Sequence, residues 1–498
     1  MTRTGRESLS GHILILGESR YRDIVLAELS ETELTERKTV VAVSEGEAEG
    51  QSAVGGMTIR FVRGDPEDPR TLESVSAADA GAILALSAGG ASGDERVARI
   101  ARALIACTRK AAILPSGSPI AITVVTETEE WQRRIGSDGG SLVQPVCYTT
   151  LLARIVALAS RQRNLSTLLR ELFTFRGNDL YIVPAGDLAG MSYAGSLRAF
   201  KTACVAGIMR EGKVTLNPDM ATVLRKGDSL VLIAEDSRSI ARNPAILPAP
   251  DGTCIAEPGA SPAEEESILF LGWNPLCPAI ADALERSTDG NLRVTVFAPS
   301  PPETSAPPEA PLRPGAGLTT ERVDLDDPAA LARIPWQYFE NVIIPGDGSG
   351  DDRAAIALYQ RVRAELLASG FENNLTTVLL APLSGETGGD GGRFVSAEIV
   401  FRIVARFLLN PEIRAVIRAL TAEDGAKIRL KPAENYVKPG AEADFYTILE
   451  AARRRNETAI GYAFAEDGTI ALNPPKTKAM RFYHLDRIVV LAGQKSAL

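Results

Sequence analysis

Short unbroken apolar runs recur along this chain: Ile13–Leu16, Val40–Val43, Ala82–Leu86 and Ile120–Val125, with the more mixed Thr58–Val62 among them. Runs of this length predict strands covered on both faces. Between several of them apolar residues return every three or four positions, as in the segment after Gly17, where Ile24, Val25 and Leu29 share one helical face. Strand, helix, strand in alternation predicts a doubly wound parallel sheet.

The pattern changes at residue 145. Leu151, Leu152, Ile155, Val156 and Ala159 mark one helix, and Leu165, Leu168, Leu169 and Leu172 mark the next. Strand runs then return at Leu180–Val183, Cys204–Ile208, Val214–Leu216 and Ser229–Ala234, punctuated by Gly212, Pro218 and Gly227, which predicts a small α+β lobe.

The whole plan then repeats. Ile13-Leu14-Ile15-Leu16-Gly17 returns as Ile268-Leu269-Phe270-Leu271-Gly272, Leu216-Asn217-Pro218 as Leu472-Asn473-Pro474, and Leu230–Ala234 as Ile488–Ala492, at offsets of 255, 256 and 258 residues. Matches in one order and at near-constant spacing imply two copies of one unit. The expected organisation is a Rossmann-like lobe over 11–144, crossover helices over 145–178 and a small lobe over 179–236. A proline-rich linker over 237–266 leads to a second Rossmann-like lobe over 267–392, crossover helices over 393–426 and a second small lobe over 427–493. A further proline-rich stretch, 298–314, has no counterpart in the first copy and reads as a surface insertion.

Composition narrows the function classes. With 45% hydrophobic and 23% charged residues in 498, the chain has ordinary globular cores. Its formal net charge of −9 argues against a phosphate-backbone partner, so no nucleic acid is expected. The most apolar stretch, Ile399–Leu409, carries Arg402 and Arg406 and is too short to span a bilayer. A polar N-terminus and five dispersed cysteines fit a cytoplasmic, reducing location, at the inner face of a membrane if a membrane partner exists.

Candidate chemistry concentrates in the first copy. A dinucleotide loop needs glycines that let backbone approach a pyrophosphate, and an acid after the second strand for ribose hydroxyls. The first turn reads Gly17-Glu18-Ser19-Arg20-Tyr21-Arg22 and keeps one glycine; Glu45 follows the second strand, and Gly64-Asp65 the third. The second turn reads Gly272-Trp273-Asn274-Pro275, and its second strand ends in Ala298-Pro299. NAD or an adenine nucleotide is therefore expected, if anywhere, at Gly17, Glu18, Ser19, Glu45, Gly64 and Asp65; the competing reading of Glu45 is a solvated loop carboxylate. Two acidic clusters, Asp324, Asp326 and Asp327, then Asp347, Asp351 and Asp352, are candidate Ca²⁺ ligands or simply solvated loops, and neither has the spacing of a self-contained calcium loop. With two histidines and no nucleophile elbow, zinc-protease or P-loop motif, no catalytic residue is assigned.

The run Gly64-Asp65-Pro66-Glu67-Asp68-Pro69-Arg70-Thr71-Leu72-Glu73 before Ala77–Leu86 resembles the third-strand turn of RCK domains, the regulators of K⁺ conductance. Leu216-Asn217-Pro218 with Leu224–Asp236, Ile268–Trp273, Ile460-Gly461-Tyr462 and Leu472-Asn473-Pro474-Pro475 resemble the CASTOR/POLLUX branch, tandem-RCK cation channels. The resemblance implies an α/β fold of two tandem RCK units. It also implies a homo-oligomeric ring of four chains and eight RCK lobes, a pore domain in cis or in trans that the chain itself lacks, and Ca²⁺ as a ligand. It implies that the helical pairs form subunit contacts. The face of Ile399, Val400, Ile403, Val404, Phe407 and Leu408 is read as such an interface, the alternative being packing on its own sheet. The leading expectation is a ligand-sensing gating module for cation flux, not itself a conductor and not an enzyme. The alternatives are an NAD(P)-dependent oxidoreductase using the first lobe, or a scaffold that binds no ligand.

Overall fold

A computed structural model describes residues 9–46, 48–108, 122–162, 165–174, 177–243, 250–257, 266–288, 291–301, 317–346, 348, 351–381, 393–422 and 424–493. The chain forms two compact units, one of residues 1–152 with 397–411, the other of 153–396 with 412–498. Most of the proline-rich stretch at 298–314 and parts of the 237–266 linker lie outside the described residues.

The first unit is built on β1 (Ile13–Leu16), α1 (Arg22–Ser30), β2 (Thr39–Ser44), β3 (Gly50–Val54), β4 (Met57–Arg63), α2 (Pro69–Ser74), β5 (Ala82–Leu86), α3 (Gly90–Thr108), β6 (Ile122–Thr126), α4 (Glu129–Gly139) and β7 (Val143–Cys147). Its sheet runs β3-β4-β2-β1-β5-β6-β7 and is parallel except for β3, which pairs antiparallel with β4. Every residue of β1, β5 and β6 is buried, as continuous apolar runs require when helices cover both faces. Chain order reverses between β1, which follows β2 in the sheet, and β5 on its other side. That reversal opens a crevice at the carboxyl ends of these strands.

Two strands escape the apolar-run criterion. β3 is wholly exposed, reads Gly50-Gln51-Ser52-Ala53-Val54, and exists because the Gly55-Gly56 turn returns the chain onto β4. β7 carries Pro145, tolerated because it is the edge strand.

The helix Glu398–Leu409, from the second copy in sequence, belongs to the first unit. Its expected role as a subunit contact needs correction: Val400, Ile403 and Val404 are fully buried against the first lobe, beside α1, β5 and β6. Phe401 stacks on Tyr21 with ring centres 4.0 Å apart, and Arg402 pairs with the buried Glu28 of α1 and with Glu398. The residues before this helix are also not helical, since Phe394–Ser396 is a strand.

In the second unit the strands Gly317–Arg322, Leu292–Ala298, Glu266–Leu271, Asn341–Ile344, Asn374–Leu379 and Phe394–Ser396 form, in that spatial order, a wholly parallel sheet. This is the first lobe's order without its hairpin. Arg161 braces this lobe: its guanidinium meets Glu266 at 2.7 Å and the carbonyls of Leu284 at 2.7 Å and Ser287 at 3.1 Å, a cation at the C-terminal end of the helix Cys277–Arg286.

The small lobes repeat each other in detail. One sheet orders Lys213–Leu216, Ala203–Arg210, Ser229–Ala234 and Asp179–Pro184; the other orders Ile470–Leu472, Thr458–Ala463, Arg487–Ala492 and Lys427–Pro432. Both have a register shift where the two central strands pair. Asn217 and Asn473 both adopt positive φ, 43° and 45°, after their hairpins. Gly207 and Gly461 admit no side chain, because an added Cβ would stand 2.5 and 2.2 Å from the carbonyls of Thr215 and Ala471. Among the described residues, no helix is long and apolar enough to cross a membrane.

Candidate nucleotide-binding site

At the crevice of the first lobe, Gly17 follows β1 with φ +93°, and a Cβ there would lie 2.6 Å from the Leu86 carbonyl. Only glycine lets β1 turn that close to β5. The loop is then held from within. The Glu18 carboxylate accepts the Gly46 N–H at 3.1 Å, Ser19 Oγ accepts the Tyr21 N–H at 3.3 Å, and α1 starts without a side-chain cap. Arg20 and Arg22 flank the turn, their guanidinium carbons 5.0 Å from the Tyr21 ring and 5.7 Å from the Phe61 ring.

Glu45, beyond β2, does not stand alone in solvent. Arg96 of α3 reaches it at 2.9 Å, and the same guanidinium is 3.6 Å from Glu67 and 3.9 Å from Asp65. Arg99, one helical turn on, meets Glu67 at 2.7 Å, and this hydrogen bond raises its pKa above the ordinary value. Gly64 keeps the third turn tight, since a Cβ would meet Thr71 Cγ2 at 2.7 Å; Asp65 accepts the Glu67 N–H at 2.9 Å. Glu45, Asp65 and Glu67 thus gather around Arg96, with Gly64 shaping the turn that carries Asp65, while Gly17, Glu18 and Ser19 form the adjoining turn.

A second wall was not anticipated from the sequence. After β5, Gly89 and Gly90 both take positive φ, and the Gly90 N–H donates to Glu127. Glu127 also accepts the Tyr148 hydroxyl at 3.0 Å. Its backbone is fixed by the fully buried Asp94, which accepts the N–H groups of Glu127 and Thr128 at 2.8 and 2.9 Å and the Thr128 hydroxyl at 3.0 Å. The paired glycines after an apolar run were the available signal. Chemically, the crevice offers carboxylates that accept ribose hydroxyls and guanidinium groups that attract phosphate, linked by exposed ion pairs worth less than about 1 kcal/mol each. A ligand can replace such pairs at small cost.

The equivalent crevice of the second lobe is filled by the chain itself. Gly272 keeps φ +104°, but the Asn274 amide donates to the Pro345 carbonyl at 2.7 Å, and its oxygen accepts the Leu276 N–H at 2.9 Å. Cys277, buried beneath, has its thiol pushed up to about 12 by burial. Pro275 contributes no N–H, so the turn has little left to offer a phosphate.

The acidic clusters are not arranged as cation sites. Asp324 accepts the Asp326 N–H, Asp326 pairs with Arg361 at 2.8 Å, and Asp327 caps the helix Pro328–Leu331 through the Ala329 N–H. Asp351 pairs with Arg353, whose hydrogen bond holds the carboxyl down near 2, and Asp352 accepts the N–H groups of Leu380 and Ala381. Asp347 lies outside the described residues. Among the described residues, no group of three or more histidine, cysteine, aspartate or glutamate side chains could hold a metal ion. The carboxylates close turns and caps, which aims their oxygens at backbone N–H groups rather than at a common point.

Residues 149–249 match the family model described as Castor and Pollux, part of voltage-gated ion channel. Over 97% of its length the chain is 26% identical to the ion channel CASTOR of Lotus japonicus and 24% identical to the probable ion channel POLLUX of Oryza sativa subsp. japonica. The chain spans 62% and 55% of those two proteins. In fold it is similar to the human SLO3 gating ring, covering 98% of this chain and all of that one, with a TM-score of 0.67 at 12% identity. Through its matched middle domain and a similarity that runs over nearly its whole length, the chain is similar to the CASTOR and POLLUX ion channels, and its α/β fold is similar to that of a gating ring.

Proposed function

We propose that this chain is a regulatory, ligand-sensing module that controls cation flux through a pore, in cis or in trans, and does so as a homo-oligomeric ring of tandem RCK units. The ligand class we assign to it is an adenine nucleotide or NAD, bound in the crevice of the first lobe. The observation that carries this reading is the unequal fate of two equivalent crevices. In the first, Glu45, Arg96 and Gly17 leave a charged site joined by displaceable ion pairs. In the second, Asn274 occupies the turn. A module that gates needs a site whose occupancy favours one arrangement over another, and catalytic groups add nothing to that task.

The test is calorimetric titration of the full chain with NAD⁺, NADH, ADP and ATP, together with mass determination in solution. Binding of at least one nucleotide, weakened tenfold or more in Glu45→Ala and unchanged in Asn274→Ala, supports the reading. A monomer that binds none of them at millimolar concentration overturns it.

A further inference from the structure

Lys476 is 2% exposed, an unusual place for an ammonium group. Its Nζ donates to Asn473 Oδ1 at 2.8 Å and to the Pro474 carbonyl at 3.1 Å, and lies 4.8 Å from the centre of the Phe445 ring. The remaining neighbour is the sulfur of Cys204, 3.0 Å away, on the strand Ala203–Arg210 of the other small lobe and itself fully buried. Among the described residues, no carboxylate pairs with this lysine.

The duplication provides an internal comparison. Aligning Gly207 with Gly461, each opposite the leucine of its Leu-Asn-Pro motif, sets Cys204 in register with Thr458; the motif itself sets Lys476 in register with Met220. At the Thr458 position the Oγ1 donates to Asn217 Oδ1 at 2.7 Å and lies 3.0 Å from the Tyr193 hydroxyl. One half therefore fills this buried spot with neutral hydroxyls, and Met220 is a buried thioether. The other half has an ammonium and a thiol. Packing alone does not call for the charged version, which carries a desolvation penalty unless the charge is compensated. The 3.0 Å contact places an oxidisable sulfur directly against a lysine nitrogen, the two atoms that an oxidative S–N linkage joins.

We propose that Cys204 and Lys476 form an oxidative crosslink site that ties the two small lobes together, with hydrogen peroxide or a comparable peroxide as oxidant. The sulfur attacks one peroxide oxygen; the O–O bond breaks, a sulfenic acid forms and water departs with the thiol proton. The lysine amine then attacks that sulfur. The S–N bond forms, the S–O bond breaks, and the hydroxyl leaves with an amine proton as a second water. Thiol, amine and one peroxide thus become a sulfenamide and two waters, the sulfur being oxidised and the peroxide reduced. A second peroxide can insert one oxygen to give S–O–N, releasing one more water. Because both atoms are buried, the reaction proceeds as fast as the small-lobe interface opens.

The experiment treats the folded full-length chain with hydrogen peroxide, alkylates free thiols, digests with trypsin and reads peptide masses. The expected product joins the Cys204 and Lys476 peptides with loss of two hydrogens, or with that loss plus one oxygen. It resists tryptic cleavage at Lys476, reverts with dithiothreitol and is absent from Cys204→Ser. Crosslinking should also raise the Tm of the wild-type chain, reversibly. Recovery of Cys204 alkylated, or as a sulfinic or sulfonic acid with Lys476 cleaved normally, overturns the proposal. The deciding masses come from the wild-type chain, so the outcome does not depend on whether a variant folds.

Discussion

Arg96 and Glu45 lie 2.9 Å apart across the crevice of the first lobe, one carried on α3 and the other at the end of β2. Both side chains are partly exposed, so the pair contributes little to folding; under the proposed function it holds two candidate ligand-binding groups mutually compensated. Replacing Arg96 with alanine should therefore leave the urea midpoint almost unchanged, within about 0.5 kcal/mol. The same variant should weaken nucleotide binding and reduce its dependence on salt, as read by titration at low and high ionic strength. A large loss of stability would instead make the pair a structural brace.

Gly17 is constrained twice, by φ +93° and by the Leu86 carbonyl that a Cβ would meet at 2.6 Å. Gly17→Ala should destabilise the first unit by on the order of 2 kcal/mol, since left-handed strain and the clash act together. Gly227, also at positive φ but with open space around its Cβ position, should tolerate alanine better. Denaturant titration of the two variants compares strain alone with strain plus clash.

Asp94 accepts three hydrogen bonds while fully buried, and two come from the backbone N–H groups of Glu127 and Thr128. Asp94→Ala should cost about 2–3 kcal/mol through the donors left unsatisfied. It should also loosen the Glu127 turn, visible as faster amide exchange at residues 126–128 than in the parent chain.

Asp228 gives the first small lobe a pH dependence of definite sign. The Arg210 guanidinium, bonded to it at 2.7 and 2.9 Å, holds its carboxyl below the ordinary value of 3.8. A depressed folded-state pKa adds stability that is complete above the unfolded value and is lost as pH falls through the folded one. Urea midpoints taken from pH 5 downward should decline from about pH 4, and Asp228→Asn should flatten that part of the decline. An unchanged profile in the variant would assign the acid sensitivity to other carboxylates.

Much of the architecture is written in local patterns. Four-residue runs such as Ile13–Leu16 are buried on both faces, and the Leu-Asn-Pro repeats proved to be hairpin ends with the same backbone at Asn217 and Asn473. The pattern was silent where burial is not the cause of the structure. β3 is exposed and owes its existence to a turn, and β7 contains a proline that only its edge position permits. The candidate site was half legible: the glycine and acid of the first copy could be named, but their partner Arg96 lies fifty-one positions beyond Glu45, on a helix whose polar face reads like any solvated one.

The sequence by itself determined the duplication, most of the strand-and-helix order of each copy and, in the second, a first turn with a single glycine and with Pro275 in place of an N–H donor. These follow from spacing, from glycine's freedom and from proline's missing N–H, all properties of neighbouring residues. Only the tertiary structure decided where long-range groups meet. It carried the apolar helix Glu398–Leu409 onto the first lobe, turned the acidic clusters into caps and ion pairs, placed Arg96 against Glu45, and set the Lys476 ammonium beside the Cys204 sulfur. The physical reason is common to all four. Amphipathic faces and charged side chains state what they need, a surface to cover or an opposite partner, and the fold of the rest of the chain selects which one they find.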